Sequence, residues 1–241
     1  MGLSKSQHKF ITSLGQKKYR QKHKLFIAEG VKVVSELLNS NFILHTLFVT
    51  EIFFPTVEAD KKVTISEAEL KKISQLKTPN KVLGLFEIAE TLPIKEDGLV
   101  LALDTINDPG NMGTIIRLCD WFGVTQLVCS KETVDCYNFK VVQASMGSLT
   151  RVQINYVDLV DFLSNTKQPT FVADMDGENV FKTELPKEGV LIMGNEANGI
   201  SDAIKKRAKN KISIPRYGKI QQTESLNVAT ATAILLSEFR R

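Results

Sequence analysis

The chain has few cysteines and no long apolar run, and each shortage removes a class of protein. Its three cysteines, Cys119, Cys129 and Cys136, are an odd number without C-x-x-C spacing. They read as reduced thiols, neither a disulfide framework nor a metal site, and point to a cytoplasmic protein that needs no metal. No stretch approaches the roughly eighteen apolar residues of a membrane span, and no signal-peptide core opens the sequence, so no membrane partner is expected. There is no internal repeat and no low-complexity tract. What remains is 241 residues of ordinary globular composition, 43% hydrophobic and 24% charged, enough for one large domain or two small ones.

The net charge of +4 is modest, but it is placed unevenly. Residues 1–32 hold Lys5, Lys9, Lys17, Lys18, Arg20, Lys22, Lys24 and Lys32 against Glu29 alone. Within SLGQKKYRQKHKLFIAEG, the cations Lys17, Lys18, Arg20 and Lys22 surround Tyr19. Cations interleaved with a stacking ring suit RNA, and a solvated basic helix face is the plain alternative. Residues 25–30 read as a strand and 31–38 as a helix with the stripe Val33, Val34, Leu37 and Leu38. A strand over 43–49, a helix over 66–73 opened by the capping box Ser66 and Glu69, and a strand over 82–88 complete a small α/β module, residues 1–90. Residues 91–98, with Pro93 and a charged end, read as a linker to a second domain, 99–241.

From residue 99 the pattern becomes that of a parallel sheet. LVLALD is a strand apolar on both faces. Pro109 and Gly110 turn the chain, Asn111 is placed to cap a helix over 112–122, and Gly123 ends it before a strand at 125–128. Arg117 sits in that helix between Ile115, Ile116, Leu118 and Cys119. A guanidinium in such company either pairs, with Asp120 for example, or reaches into a cleft. G-N-M-G is not the G-x-G-x-x-G of a dinucleotide site, which argues against a nicotinamide oxidoreductase. A helix over 139–146, a strand over 151–155, a helix over 157–163 and a strand over 170–173 follow.

The loop after the strand 190–193 reads GNEANG, residues 194–199, and exposes Glu196 at a strand's carboxyl end. Gly194 removes a side chain where a ligand could meet the backbone, and Gly199 permits positive φ. Ser201 is placed to cap a basic helix over 202–209. The stretch ISIPRYGKIQQTESLNVATATAILL then gives a strand over 212–214, a stop at Pro215 and a polar loop over 216–224. Ser225 is placed as the cap of a helix over 226–239. That helix is apolar nearly all round and so should be buried on several sides, yet it carries Asn227 at its start.

Three pieces, NDPGNMGTIIRLCDWFGV, LIMGNEANGIS and IPRYGKIQQTESLNVATATAILL, resemble in order and spacing the motifs of the SpoU (TrmH-like) family of RNA 2′-O-ribose methyltransferases in the SPOUT superfamily. QASMGSLTRVQI is similar to a further segment of that pattern, and SLGQKKYRQKHKLFIAEGVKVVSELL to the RNA-binding domain that often precedes it. The resemblance implies a C-terminal α/β SPOUT domain tied in a deep trefoil knot, an exception to the rule that chains do not knot. It implies S-adenosyl-methionine as cofactor, held mainly by backbone at Gly194, Ile214 and Leu226, with Ala173, Asn195 and Ser225 nearby. It also implies a homodimer through the C-terminal domain and an RNA substrate, rRNA or tRNA.

By position, the resemblance implies site roles for Asn111, Arg117, Glu196 and Asn227. A guanidinium stays protonated and has no free acceptor. Arg117 is therefore expected to orient RNA and stabilise a developing alkoxide rather than act as a base. A phosphate, water and Glu196 are all open as the proton's acceptor. The loop 216–224 is longer than in some members, so Arg216, Tyr217 and Lys219 are either RNA contacts or part of a surface insertion. The competing reading is an RNA-binding protein that keeps the fold without turnover, distinguished by cofactor binding without methyl transfer.

Overall fold

The computed structural model describes residues 2–195, 197–218, 220 and 225–241. The chain divides into two compact units: Met1–Glu90 with Asp135–Thr150, and Thr91–Val134 with Arg151–Arg241.

The first unit opens with two basic helices. α1 (Lys5–Ser13) starts at a capping box between Ser4 and Gln7. α2 (Lys17–His23) ends on Lys24, which lies in the left-handed region at φ 54°, ψ 34°. β1 (Leu25–Glu29), buried throughout, leads into α3 (Val31–Leu38), whose Val33, Val34 and Leu37 are buried as the periodicity predicts. β2 (Leu44–Val49), β3 (Lys62–Thr64), α4 (Glu67–Ile73) and β4 (Val82–Glu87) follow. Ser66 and Glu69 form the expected capping box. The sheet order is β1-β4-β2-β3, antiparallel except between β2 and β3. Ile11 and Leu14 pack with Leu25, Ile27, Leu70 and Leu85 in one core.

Arg20 belongs to that interior. It is 2% exposed, donates to both Leu14 and Gly15 carbonyls at 3.0 Å, and holds Asp135 at 2.6 Å. Its place among the expected RNA contacts is therefore corrected, because a guanidinium committed to three oxygens inside the fold cannot reach a phosphate. Lys17, Lys18 and Lys22 on the same helix are exposed.

The second unit begins with β5 (Leu99–Leu103), α5 (Pro109–Trp121) and β6 (Gln126–Ser130). The chain then supplies α6 (Phe139–Ser145) to the first unit, where it packs on β1 and Tyr137 stacks beside Phe26 at 4.7 Å. β7 (Gln153–Val157), α7 (Leu159–Asn165), β8 (Thr170–Asn179), β9 (Gly189–Met193), α8 (Asp202–Lys205), β10 (Asn210–Ser213) and α9 (Val228–Arg240) complete the second unit. Its six strands are all parallel in the order β10-β8-β9-β5-β6-β7. β5, β6 and β9 are buried at every position, as apolar runs in a parallel sheet should be. Residues 91–98 are tied to this unit: Asn155 donates to the Leu92 carbonyl at 2.7 Å and Gln153 to that of Pro93 at 2.9 Å.

Several local expectations are corrected. α5 is capped by Asp108, whose carboxylate accepts from the Asn111 N–H at 2.7 Å, so Asn111 lies inside the helix. α9 is capped by Asn227, not Ser225. α8 is one short turn, because the basic run 205–209 after Ile204 offers almost nothing apolar to bury, and the Ser201 side chain makes no cap bond. β8 runs on to Asn179.

Candidate active site

Open α/β sheets place ligands beyond the carboxyl ends of strands where the order reverses. Here the chain leaves β5 towards β6 and β7, then crosses to fill β8, β9 and β10 on the other side, so the reversal lies between β5 and β9. The backbone just past these two strands is tightly held. Asp104 N–H donates to the Met193 carbonyl at 2.9 Å, and the Asp104 carboxylate accepts from Ser201 N–H at 2.8 Å. Asn195 donates its side-chain amide to the Thr105 carbonyl at 2.8 Å, and its oxygen accepts from the N–H groups of Ala197 and Asn198.

Thr105 has φ 59°, a left-handed conformation that a β-branched residue rarely adopts. Such strain, on the order of 1–3 kcal/mol, persists where surrounding bonds over-determine it. Ser130 accepts from its N–H at 3.1 Å and Asn195 holds its carbonyl, so both sides of the residue are fixed. Asp104 and Thr105 were not among the sequence candidates. The Asp-Thr pair after an apolar strand carries no sign of the strain, which comes from partners 25 and 90 residues away.

Gly199 has the expected positive φ, 66°. At Gly194 the structure supplies a reason of its own for glycine. A Cβ there would lie 2.5 Å from the carbonyl carbon of Gly199, in a loop closed by paired hydrogen bonds between Asn195 and Gly199 at 2.8 and 3.0 Å. Glycine at 194 makes room for the loop's own backbone.

α5 and α9 lie side by side and parallel, joined at both ends. At the N-terminal end, Asn227 donates to the Asn111 oxygen at 2.9 Å while its own oxygen caps α9 on Ala229 and Thr230 N–H. At the far end, Arg240 donates to the carbonyls of Phe122 and Gly123 at 2.8 and 3.0 Å, satisfying the open end of α5. Two helix N-termini therefore open together, each carrying roughly half a positive charge. That potential favours an oxyanion.

The structure thus brings Asn111 and Asn227 into contact and leaves Arg117 apart. Arg117 is exposed, and among the described residues no hydrogen bond or ion pair engages its guanidinium. Asp120 pairs with Arg151 at 2.9 Å, so the expected alternative, an Arg117–Asp120 pair, is not what forms. Arg117 shares its face of α5 with Thr114 and with Trp121, which is 84% exposed. Burial of α9 is one-sided, through Val228, Ala229, Thr232, Leu235, Leu236 and Phe239. This corrects the expectation of burial on several sides: Thr230 and Ser237 are exposed, and Ala233 and Ile234 only part-buried. Glu196 and Lys219 lie outside the described residues.

Of the expected cofactor residues, Gly194 and Ile214 follow β9 and β10, and Ala173 lies within β8 between them. β10 pairs with Phe171 and Val172, then with Glu178 and Asn179, so the ladder skips residues 173–177. The pairing of β8 with β9 also ends at Val172. Ala173 therefore lies in neither register. Leu226, 47% exposed, and Ser225, also exposed, precede the α9 cap. Among the described residues no cluster of three or more His, Cys, Asp or Glu could hold a metal, and no helix is long and apolar enough to cross a membrane.

Residues 98–237 match the SpoU rRNA Methylase family, and residues 5–84 match the MRM3-like substrate binding domain. The 23S rRNA (guanosine(2553)-2′-O)-methyltransferase RlmP of Bacillus subtilis is 29% identical over 94% of this chain and 93% of its own. A solved structure of a putative RNA methyltransferase of the TrmH family from Porphyromonas gingivalis is 36% identical, with a TM-score of 0.91 over 100% of this chain and 99% of that one. An AdoMet-bound rRNA methyltransferase from Sinorhizobium meliloti is 30% identical, with a TM-score of 0.88 over 100% and 96%.

Proposed function

The chain belongs to the SpoU rRNA methylase family, and from that membership we infer that it is an S-adenosyl-methionine-dependent enzyme that methylates a ribose 2′-hydroxyl of rRNA. The observation that carries this reading is the contact of Asn111 with Asn227 where two parallel helices open together, beside the carboxyl ends of a parallel sheet.

The residues present fit the cofactor. Ala173, in the stretch of β8 that has no partner in the β9 or β10 register, offers its peptide groups; Gly194 and Asn195 stand at the end of β9 and Ile214 at the end of β10; Leu226 offers apolar surface, with Ser225 beside it. Bound there, the cofactor supplies an electrophilic methyl group. The chain's own part is to present the ribose and to stabilise the charge that develops on its oxygen. Asn111 and Asn227 position the ribose. The paired helix N-termini and the Arg117 guanidinium favour the alkoxide, and a preorganised donor of this kind is worth about 3 kcal/mol. Glu196 belongs to the same proposal by its family position.

The proposal includes a homodimer and the trefoil knot. The homodimer reading is supported by the uncovered face of α5 with Trp121 and Arg117 and by the small-residue face of α9, surfaces that a second copy would cover. It would also give Arg117 a site to reach. The chain is proposed to work in the cytoplasm, consistent with three buried cysteines held outside disulfides. The test is a map of 2′-O-methyl positions in total RNA from cells with and without the protein. Loss of one rRNA methyl in its absence, restored by wild type and not by Arg117→Ala, is the expected result; an unchanged map refutes the activity.

A further inference from the structure

One end of the first unit's sheet holds a cavity of about 410 Å³ that the methyl-transfer site does not use. Five elements meet there: α1 with Phe10, α2 and β1 at their junction with His23, Lys24 and Leu25, β2 with His45, and the end of β4 with Glu87. The junctions are fastened. Ile88 N–H donates to the Lys24 carbonyl at 2.8 Å, and Glu87 N–H to that of Ile43 at 2.9 Å.

Two backbone irregularities aim side chains into this space. In the ladder between β2 and β4, Leu44 faces Phe86 and Thr46 faces Leu85, so His45 is the extra residue of a bulge. Bulges re-aim a side chain. Lys24 holds a left-handed conformation that glycine or asparagine would adopt at less cost. The rings are held as well: Phe10 meets His23 edge to face at 5.0 Å, and the His45 Nδ1 lies 2.8 Å from the Thr46 hydroxyl. By contrast, among the described residues no hydrogen bond or ion pair engages the Glu87 carboxylate or the Lys24 ammonium. Both are exposed.

We propose that this cavity holds one unstacked guanine of the RNA substrate, with His23 and His45 as stacking surfaces, Glu87 on the base edge and Lys24 on the adjoining phosphate. The proposal rests on the RNA-modifying function proposed above and adds a base-reading subsite to it. Single-stranded RNA is read by stacking bases on aromatic or histidine rings and bonding their Watson–Crick edges. A carboxylate disfavours a bare phosphate as occupant, and an ionised carboxylate only accepts. Guanine alone among the four bases presents two adjacent donors on that edge, N1–H and the 2-amino group. Adenine and cytosine pair one donor with an acceptor, and uracil sets its single donor between two carbonyls.

The test uses the full chain and seven-nucleotide uridine RNAs with a central guanosine, inosine or adenosine, read by fluorescence anisotropy at fixed salt. Guanosine should bind roughly tenfold more tightly than adenosine, the scale of one good bidentate base contact. Inosine, which lacks the 2-amino donor, should fall between them. Glu87→Gln turns one acceptor into a donor and should move the preference to adenosine, while Glu87→Ala should flatten it. Glu87 is exposed at a strand end, and unchanged melting of both variants checks that the fold is intact. Equal binding of all three RNAs by wild type, or a guanosine preference that survives Glu87→Gln, overturns the subsite. Salt-sensitive binding of every oligomer alongside that result would leave the RNA function standing. Binding to none would overturn the subsite, and the methylation map would still decide the activity.

Discussion

The two units place their polar side chains differently. In the first, buried charges close on one another: Arg20 on Asp135 and two carbonyls, and Glu29 on the Ser74 hydroxyl and the Gln75 N–H. In the second, Asp104, Thr105 and Asn195 gather past the carboxyl ends of the central strands β5 and β9, and Asn111 and Asn227 meet at the openings of α5 and α9. A polar group that completes the fold and one that awaits a ligand can be the same residue type. What separates the two sets here is position: the second lies past the carboxyl ends of the central strands, where open α/β sheets place ligands.

The largest expected effect tests the closed set. Arg20→Ala leaves Asp135 without its partner, and breaking a buried pair in this way costs on the order of 3–5 kcal/mol. Thermal unfolding should show a large loss that Arg20→Lys does not restore, since an ammonium cannot span a carboxylate and two carbonyls with fixed geometry. A loss within experimental error would place Arg20 back among surface cations.

Arg117→Ala tests the chemistry proposed for the second unit. Single-turnover methyl transfer should fall roughly 10²–10³-fold, the scale for removing one charge stabiliser. Melting should hold, because the side chain is exposed and the ion-pair alternative is taken by Arg151. Turnover within a few-fold of wild type would remove Arg117 from the chemistry.

Asn227 separates the two roles within one residue. Asn227→Ala loses the cap and should cost about 1 kcal/mol of stability. Asn227→Asp keeps the acceptor for Ala229 and Thr230 but loses the donor to Asn111. Melting should then recover while methyl transfer stays impaired. Recovery of both would mean that the residue serves the helix alone.

The smallest effect concerns Glu29. Burial is the main cause that lifts its carboxyl above the ordinary 4.5, opposed by hydrogen bonds from Ser74 and Gln75. The folded chain then holds this proton more tightly than the unfolded chain, so stability declines as pH rises from the unfolded value through the folded one. Glu29→Gln should remove that decline and leave melting near pH 7 equal or slightly higher. A marked loss at pH 7 would mean that the charged form is the one the fold needs.

What the sequence revealed follows the range of the interaction responsible. The capping box at Ser66 and the stripe of α3 are set within a turn or two, and both stand as expected. Ser225 and Asn227 are both good cap residues two positions apart. The choice involves Asn111, 116 residues away, which no local pattern contains. Arg20 looked like its neighbours Lys18 and Lys22 because its partner Asp135 is 115 residues distant. The family motifs marked Asn111 and Asn227 as site residues, but the mutual contact and the shared helix opening appear only in three dimensions.

The latch between α5 and α9 also has a consequence for synthesis. Asn227 reaches back 116 residues and Arg240 reaches back 118. Contacts of such separation must overcome the entropy of closing a long loop before they contribute anything. A nascent chain long enough to have completed its first unit, through residue 150, and to have paired β5 with β6 still lacks α9. Such a chain can carry exposed basic lysines and yet have no assembled place for a methyl donor. The α5–α9 pair is thus completed only once residue 240 has been made, an order set by the chain itself.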